Sequence, residues 1–248
     1  MFRPLFKAAA LSALVFAAPA MATTVVVSTT GSTADNGAYG NTLTFSGTSG
    51  GTTVNVRATG WQVNQSNNTV TSAFVGAYSP GMGVTGLGDN NGSYGYHQVD
   101  NAGGYNDFYL LQFDQAVNLS SLYLNSFTLG SSYSKDNDLG FAAVNYGGAL
   151  WNSALNLAGG TFVPGSLTTV NGTGANGSRA TGSSIYSNQW LVSSAFASGN
   201  NDGFKLASLT VNTGAVPEPA TWAMMLVGFG AAGVSLRRGR PVLAMQAA

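Results

Sequence analysis

The chain contains no cysteine. That excludes a thiol nucleophile, a cysteine zinc site, a disulfide and any thiol redox role. Charge is also scarce, with Asp, Glu, Lys and Arg making up 7% of the residues. The formal net charge of zero conceals an uneven distribution. Arg3 and Lys7 sit at the front, and Arg237, Arg238 and Arg240 at the back. Between residues 23 and 216 lie only Arg57, Lys135, Arg179 and Lys205, against eight Asp and no Glu. A body of net charge −4 neutralises few phosphates, so nucleic-acid binding is excluded. The chain has a single histidine, His97, and nothing marks a serine to partner it. No G-x-S-x-G, H-E-x-x-H or phosphate-binding loop occurs. The expectation is that the protein is not an enzyme. A glycoside hydrolase acting through two Asp carboxylates is the catalytic alternative.

What the chain has in quantity is Gly, at 34 residues, with Ser, Thr and Asn between apolar runs. This mixture disfavours helices and suits short strands joined by tight turns. Strand-length runs occur at Thr42–Ser46, Thr52–Val63, Thr69–Tyr78, Phe108–Phe113, Leu119–Leu129, Leu139–Asn145, Trp190–Ala197 and Phe204–Val211. The runs from Leu122 and from Phe204 alternate apolar and polar residues at period two. Turn signals separate the runs, among them Ser49-Gly50-Gly51, Gly103-Gly104 and Asn200-Asn201-Asp202-Gly203. The pattern predicts an all-β domain over 23–213, an antiparallel β-sandwich of jelly-roll type. Residues 171–178 show no apolar periodicity and are expected to form a mobile loop.

Both ends differ in composition from the body. Residues 1–22 combine a basic start, an uncharged apolar stretch from Ala8 to Ala18 and the small-residue site Ala20-Met21-Ala22. This is the pattern of a secretory signal peptide, a helix that signal peptidase removes after Ala22. At the other end, Val216-Pro217-Glu218-Pro219 is expected to be rigid and extended, because each Pro fixes its own φ and restrains the preceding residue. The 17 residues from Ala220 to Leu236 carry no charge. They are expected to form one transmembrane helix over 220–236, short for a bilayer. Arg237, Arg238 and Arg240 would hold the tail, 241–248, in the cytoplasm.

The C-terminal segment, 214–240, resembles the PEP-CTERM sorting signal in its PEPxxWA variant. Pro217, Glu218, Pro219, Thr221, Trp222, Ala223 and Met224 carry the likeness, with Gly228, Gly230 and the arginines Arg237, Arg238 and Arg240. The resemblance implies an exported protein that passes transiently through the inner membrane. An exosortase, a membrane-embedded thiol transpeptidase, would then cleave it for the surface or the extracellular medium of Gram-negative bacteria, often those making exopolysaccharide.

Six of the eight body Asp residues fall between positions 89 and 138, with His97 among them. The stretch from Gly83 to Asp89, then His97-Gln98-Val99-Asp100-Asn101, Phe113-Asp114 and Asp136-Asn137-Asp138, resembles a region shared by exosortase-dependent surface proteins. Clustered carboxylates and Asn carbonyls suit Ca²⁺, which takes six to eight oxygen ligands. The candidate ligands are Asp89, Asp100, Asn101, Asp107, Asp136 and Asp138. The competing reading is that these side chains cap turns by accepting backbone N–H bonds. His97 is expected to be a hydrogen-bonded structural residue. The overall expectation is a surface or extracellular-matrix protein associated with exopolysaccharide or biofilm. Its alternative is a calcium-stabilised carbohydrate-binding module, with Tyr94, Tyr96, Tyr105, Tyr109, Tyr123, Tyr133, Tyr146, Trp151 and Trp190 available for stacking on sugars.

Overall fold

The structure, a computed structural model, describes residues 22–32, 38–87, 89, 97–129, 135–147, 151, 155–161, 166–196, 202–214 and 219–238, with side chains of the last segment described over 225–234. The expected signal helix, the cleavage residue Ala20, and Pro217, Glu218, Arg240 and the tail lie outside the described residues. The chain divides into a body, Ala22–Gly214, and a separate unit that includes the C-terminal segment.

The described residues of the body form twelve strands. They are β1 (Thr24–Ser28), β2 (Thr42–Ser49), β3 (Thr52–Asn64), β4 (Val70–Tyr78), β5 (Gly81–Thr85), β6 (Val99–Asp100), β7 (Tyr105–Ser126), β8 (Leu139–Ala143), β9 (Thr168–Val170), β10 (Gly177–Ala180), β11 (Ser187–Ser194) and β12 (Gly203–Thr213). All named strands pair antiparallel. The order β1-β12-β5-β4-β3-β7-β11-β8-β9 is joined by a further pairing of β12 with β7. Strands β12, β5, β4, β3 and β7 therefore form a closed ring, and the sheet curls into a barrel-like sandwich. The expected all-β antiparallel architecture is present, as one continuous sheet.

Strand β7 makes this closure possible. Sequence reading separates Phe108–Phe113 from Leu119–Leu129, but the chain runs as a single strand to Ser126. Its first half pairs with β3 and β11, and its second half with β12 and β10. The intervening residues 114–118 interrupt the apolar pattern in sequence. In the fold, Asp114 accepts bonds from the Asn55 backbone and side chain, and Gln115 Nε2 donates to the Thr53 carbonyl. Across the same point β11 shifts register between Ser187 and Gln189, a bulge of the kind that bends a strand.

Alternation sorts side chains between two apolar clusters. Tyr109, Leu111 and Phe113 enter the main core with Val56, Val84, Leu122, Leu206 and Leu209. Phe108 and Leu110, on the opposite face of the same strand, pack with Trp61, Val63 and Leu191 under Leu155, Leu157 and Leu167. Burial on both faces explains why 108–113 is nearly continuously apolar. Each fully buried Leu or Phe contributes roughly 1.5–3 kcal/mol relative to exposure. At the β2–β3 hairpin, Ser49 pairs with Thr52, and Gly50 and Gly51 both have positive φ (55° and 78°). That is the geometry a two-residue primed turn requires and glycine supplies.

Two sequence expectations are corrected. The expected mobile loop over 171–178 ends in β10, where Gly177 and Ser178 pair with Leu124 and Tyr123. Arg179 Nη2 also ties the segment down by donating to Asn137 Oδ1 and the Ala175 carbonyl. Backbone pairing and this guanidinium replace the apolar periodicity that the segment lacks. At the C-terminus, helix α1 spans Pro219–Arg238, so Pro219 opens a helix rather than closing an extended element. Its fixed φ and missing N–H suit the first helical position. The expected transmembrane helix over 220–236 is not found: among the described residues no helix is long and apolar enough to cross a membrane. The uncharged part, 17 residues, reaches about 25 Å at 1.5 Å per residue, against a hydrocarbon core of about 30 Å, and Gly228, Gly230 and Gly233 dilute its apolar content.

Candidate metal centre

The six oxygen-bearing candidates do not meet at one point. The fold divides them into two groups. One carboxylate oxygen from each of Asp89, Asp100 and Asp107 lies within 4.8 Å of the others, and oxygens of Asp136, Asp138 and Asp202 likewise lie within 4.8 Å of one another. Asn101 belongs to the second group through its contacts, while its chain neighbour Asp100 belongs to the first.

The first group forms where β5, β6 and β7 approach one another. Asp107 lies on β7 two residues before the core residue Tyr109, and it pairs across the strands with Gln62 of β3. Gln62 Oε1 accepts the Leu87 N–H (2.6 Å), which draws the segment after β5 over this edge. There the Gly86 N–H donates to Asp89 Oδ2 (2.5 Å). Asp100 Oδ1 accepts the Ala102 N–H (2.9 Å). Asp100 and Asp107 are each 2% exposed, and among the described residues nothing donates to Asp100 Oδ2 or Asp107 Oδ2.

Burying three carboxylates together disfavours their ionised forms. Burial pushes Asp89 up to about 7. Burial and then the Asp89 charge push Asp100 to about 8. Asp107 rises well above the carboxylate range, first through burial and then through Asp89 and Asp100. Tyr39, whose hydroxyl donates to the Gly86 carbonyl (3.1 Å), is raised by burial and by the charges of Asp89 and Asp107. Its ring remains 46% exposed beside the group.

In the second group every carboxylate accepts at least one hydrogen bond, and among the described residues none of its buried oxygens lacks a donor. Asp136 Oδ1 accepts the Asn137 N–H (2.8 Å), and Asp138 Oδ1 accepts the Gly172 N–H (2.5 Å). Asp202 is fully buried. Its Oδ1 accepts the Asp138 N–H (3.1 Å) and its Oδ2 accepts Asn101 Nδ2 (2.9 Å). Its own N–H donates to Asn101 Oδ1 (2.9 Å). Burial pushes Asp202 to about 7, with the Asp138 and Asp136 charges adding to it and the hydrogen bonds opposing it. These bonds are the turn-capping pattern that Asp and Asn adopt without a metal.

Asp202 is the member that sequence reading missed. It lies inside the Asn-Asn-Asp-Gly turn signal, and a bridge to Asp136 together with the Asp138 N–H bond to its Oδ1 brings it to the group. His97 is buried, with positive φ (62°), and its Nδ1 shares hydrogen bonds with Tyr78 Oη (2.8 Å) and Thr85 Oγ1 (2.7 Å). Of the aromatics considered for stacking, Tyr109 and Trp190 are core residues, Tyr105 and Trp151 are half-buried, and Tyr123 and Tyr146 are exposed. Tyr94, Tyr96 and Tyr133 lie outside the described residues. Tyr186, not considered from sequence, is exposed as well.

Of the sorting residues, the backbones of Thr221, Trp222, Ala223, Arg237 and Arg238 lie within α1. The family model described as the PEP-CTERM protein-sorting motif matches residues 215–240. The chain therefore carries a PEP-CTERM protein-sorting motif at its C-terminus, which implies processing by an exosortase and sorting to the surface. No curated protein and no solved structure matches the chain.

Proposed function

We propose that this chain is a surface or extracellular-matrix protein, whose β domain is released by exosortase cleavage and associates with exopolysaccharide by binding rather than catalysis. The observation that carries the reading is the sorting motif at 215–240, which begins directly after the last residue of the β domain, Gly214. The domain closes on itself before the motif starts. Thr213, the last residue of β12, donates its N–H to the Thr23 carbonyl (2.9 Å), and the Thr23 N–H donates to Thr213 Oγ1 (3.2 Å). Removing residues on either side of this clasp leaves every strand pairing of the body in place. The exposed rings of Tyr39, Tyr123, Tyr146 and Tyr186 offer flat faces for sugar rings.

Intact mass of the mature protein tests the processing, compared between cells with and without an exosortase. The expected mass in normal cells lacks the signal segment and residues 220–248, and the C-terminal segment is retained when the exosortase is missing. Retention of residues 220–248 in normal cells refutes the sorting reading.

A further inference from the structure

We infer that Asp89, Asp100 and Asp107 form a binding site for a single hard divalent cation of calcium's size, and that the neighbouring group of Asp136, Asp138 and Asp202 does not. Two observations carry the assignment, and the second of them separates the groups. The first is convergence: oxygens of all three residues lie within 4.8 Å of one another. At metal–oxygen distances of about 2.3–2.6 Å, two oxygens on one Ca²⁺ are at most about 5 Å apart, so calcium spans a cluster of this extent, whereas Mg²⁺ keeps several waters and is usually held by only one or two carboxylates. The second is lone-pair saturation. Asp100 and Asp107 are almost fully buried, and each keeps an oxygen to which nothing among the described residues donates. A buried carboxylate oxygen without a donor is costly, and two of them facing a third carboxylate add mutual repulsion. A divalent cation relieves both at once. In the second group no buried oxygen lacks a donor among the described residues, since the backbone and Asn101 donate there, so convergence has an explanation that needs no ion.

The donor set fixes the chemical class. Among the described residues its clustered side chains are carboxylates, which suits calcium and disfavours the softer metals that prefer imidazole or thiolate. The site would join β6, β7 and the segment after β5, three parts of the chain that meet without a disulfide. This inference does not depend on the sorting reading, since it concerns the body alone.

The test is thermal unfolding of the mature protein in chelator, in millimolar calcium and in millimolar magnesium, with equilibrium dialysis to count bound calcium. Wild type is expected to bind one calcium per chain. Its Tm should rise by about 5–10 °C once calcium exceeds its Kd a hundredfold, and less with magnesium. Asp107→Asn should lose the calcium shift. Asp136→Asn should keep the shift. The inference is overturned by any of three results: no shift in wild type at ten-millimolar calcium, a shift that survives Asp107→Asn, or a shift lost with Asp136→Asn. If Asp107→Asn fails to fold, Asp89→Asn, at the half-buried member, carries the same comparison.

Discussion

Asn101 offers the sharpest test of how the second acidic group is held. It is 9% exposed and makes three bonds across about a hundred residues of sequence. Its Nδ2 donates to Asp202 Oδ2 (2.9 Å) and to the Ala195 carbonyl (3.1 Å), and its Oδ1 accepts the Asp202 N–H (2.9 Å). Asn101→Ala removes all three. The Ala195 carbonyl keeps a longer bond from Asn106 Nδ2 (3.5 Å), but the Asp202 N–H and Oδ2 lose these partners inside the protein. Each stranded buried group costs roughly 1–3 kcal/mol, more when it is charged, so the expected loss is about 3–5 kcal/mol. For a body of this size, with a Tm change of about 2–4 °C per kcal/mol, that is a fall of about 10 °C. The assay is urea and thermal unfolding followed by circular dichroism at neutral pH. Asn101→Asp serves as the companion, since it keeps the acceptor for Asp202 N–H but sets a carboxylate against Asp202 Oδ2. It should be at least as destabilising at pH 7.5 and recover at pH 5. A loss under 1 kcal/mol for Asn101→Ala would show that water replaces these bonds freely and that the clasp around Asp202 holds nothing.

Two further outcomes follow from the geometry. A Cβ added to Gly83 would lie 1.8 Å from the His97 carbonyl oxygen and 2.5 Å from its carbon, so Gly83→Ala must displace backbone. It should cost more than about 3 kcal/mol, and a Tm within 3 °C of wild type would contradict the packing of β5 against residues 97–98. Asp202 sets a pH dependence. Its folded pKa, about 7, lies above the ordinary carboxylate value. Its contribution to stability is therefore complete below about pH 4 and is lost as pH rises through 7. At most about 4 kcal/mol is involved, from about three pKa units. In chelator, the urea midpoint of wild type should fall between pH 5.5 and 8.5, and Asp202→Asn should reduce that slope by its own share, leaving the part that Asp89 and Asp100, raised to about 7 and about 8, contribute. An unchanged slope in the variant would remove Asp202 as a source of it.

The strands with apolar alternation were legible in sequence because alternation is itself the signature of a half-buried sheet. Strands β2, β3, β4, β8, β11 and β12 overlap the runs read for them. The strands that escaped reading lack that signal. Strand β5 is Gly-Met-Gly-Val-Thr, buried along its whole length, and β10 is Gly-Ser-Arg-Ala, held as an edge by backbone bonds. The break expected within β7 failed because Asp114 and Gln115 satisfy the neighbouring strand instead of a turn. The division of the acidic cluster could not be read at all. Asp100 and Asn101 are adjacent in the chain yet serve different groups, and Asp202 joins Asp136 only through long-range pairing. Composition placed carboxylates near one another, but which oxygens are left without donors is a property of the fold.

The clasp between Thr23 and Thr213 has a mechanical consequence. Any force entering through the C-terminus meets the body at Thr213 and runs along β12. That strand has neighbours on both edges, β7 along one and β1, β5 and β6 along the other. In antiparallel ladders the bonds stand perpendicular to the strands, so a pull along β12 loads them in shear, many at once, instead of peeling them one by one. A pull on the C-terminal end of the body must therefore shear the β12–β7 and β12–β1 ladders together before the strand comes free.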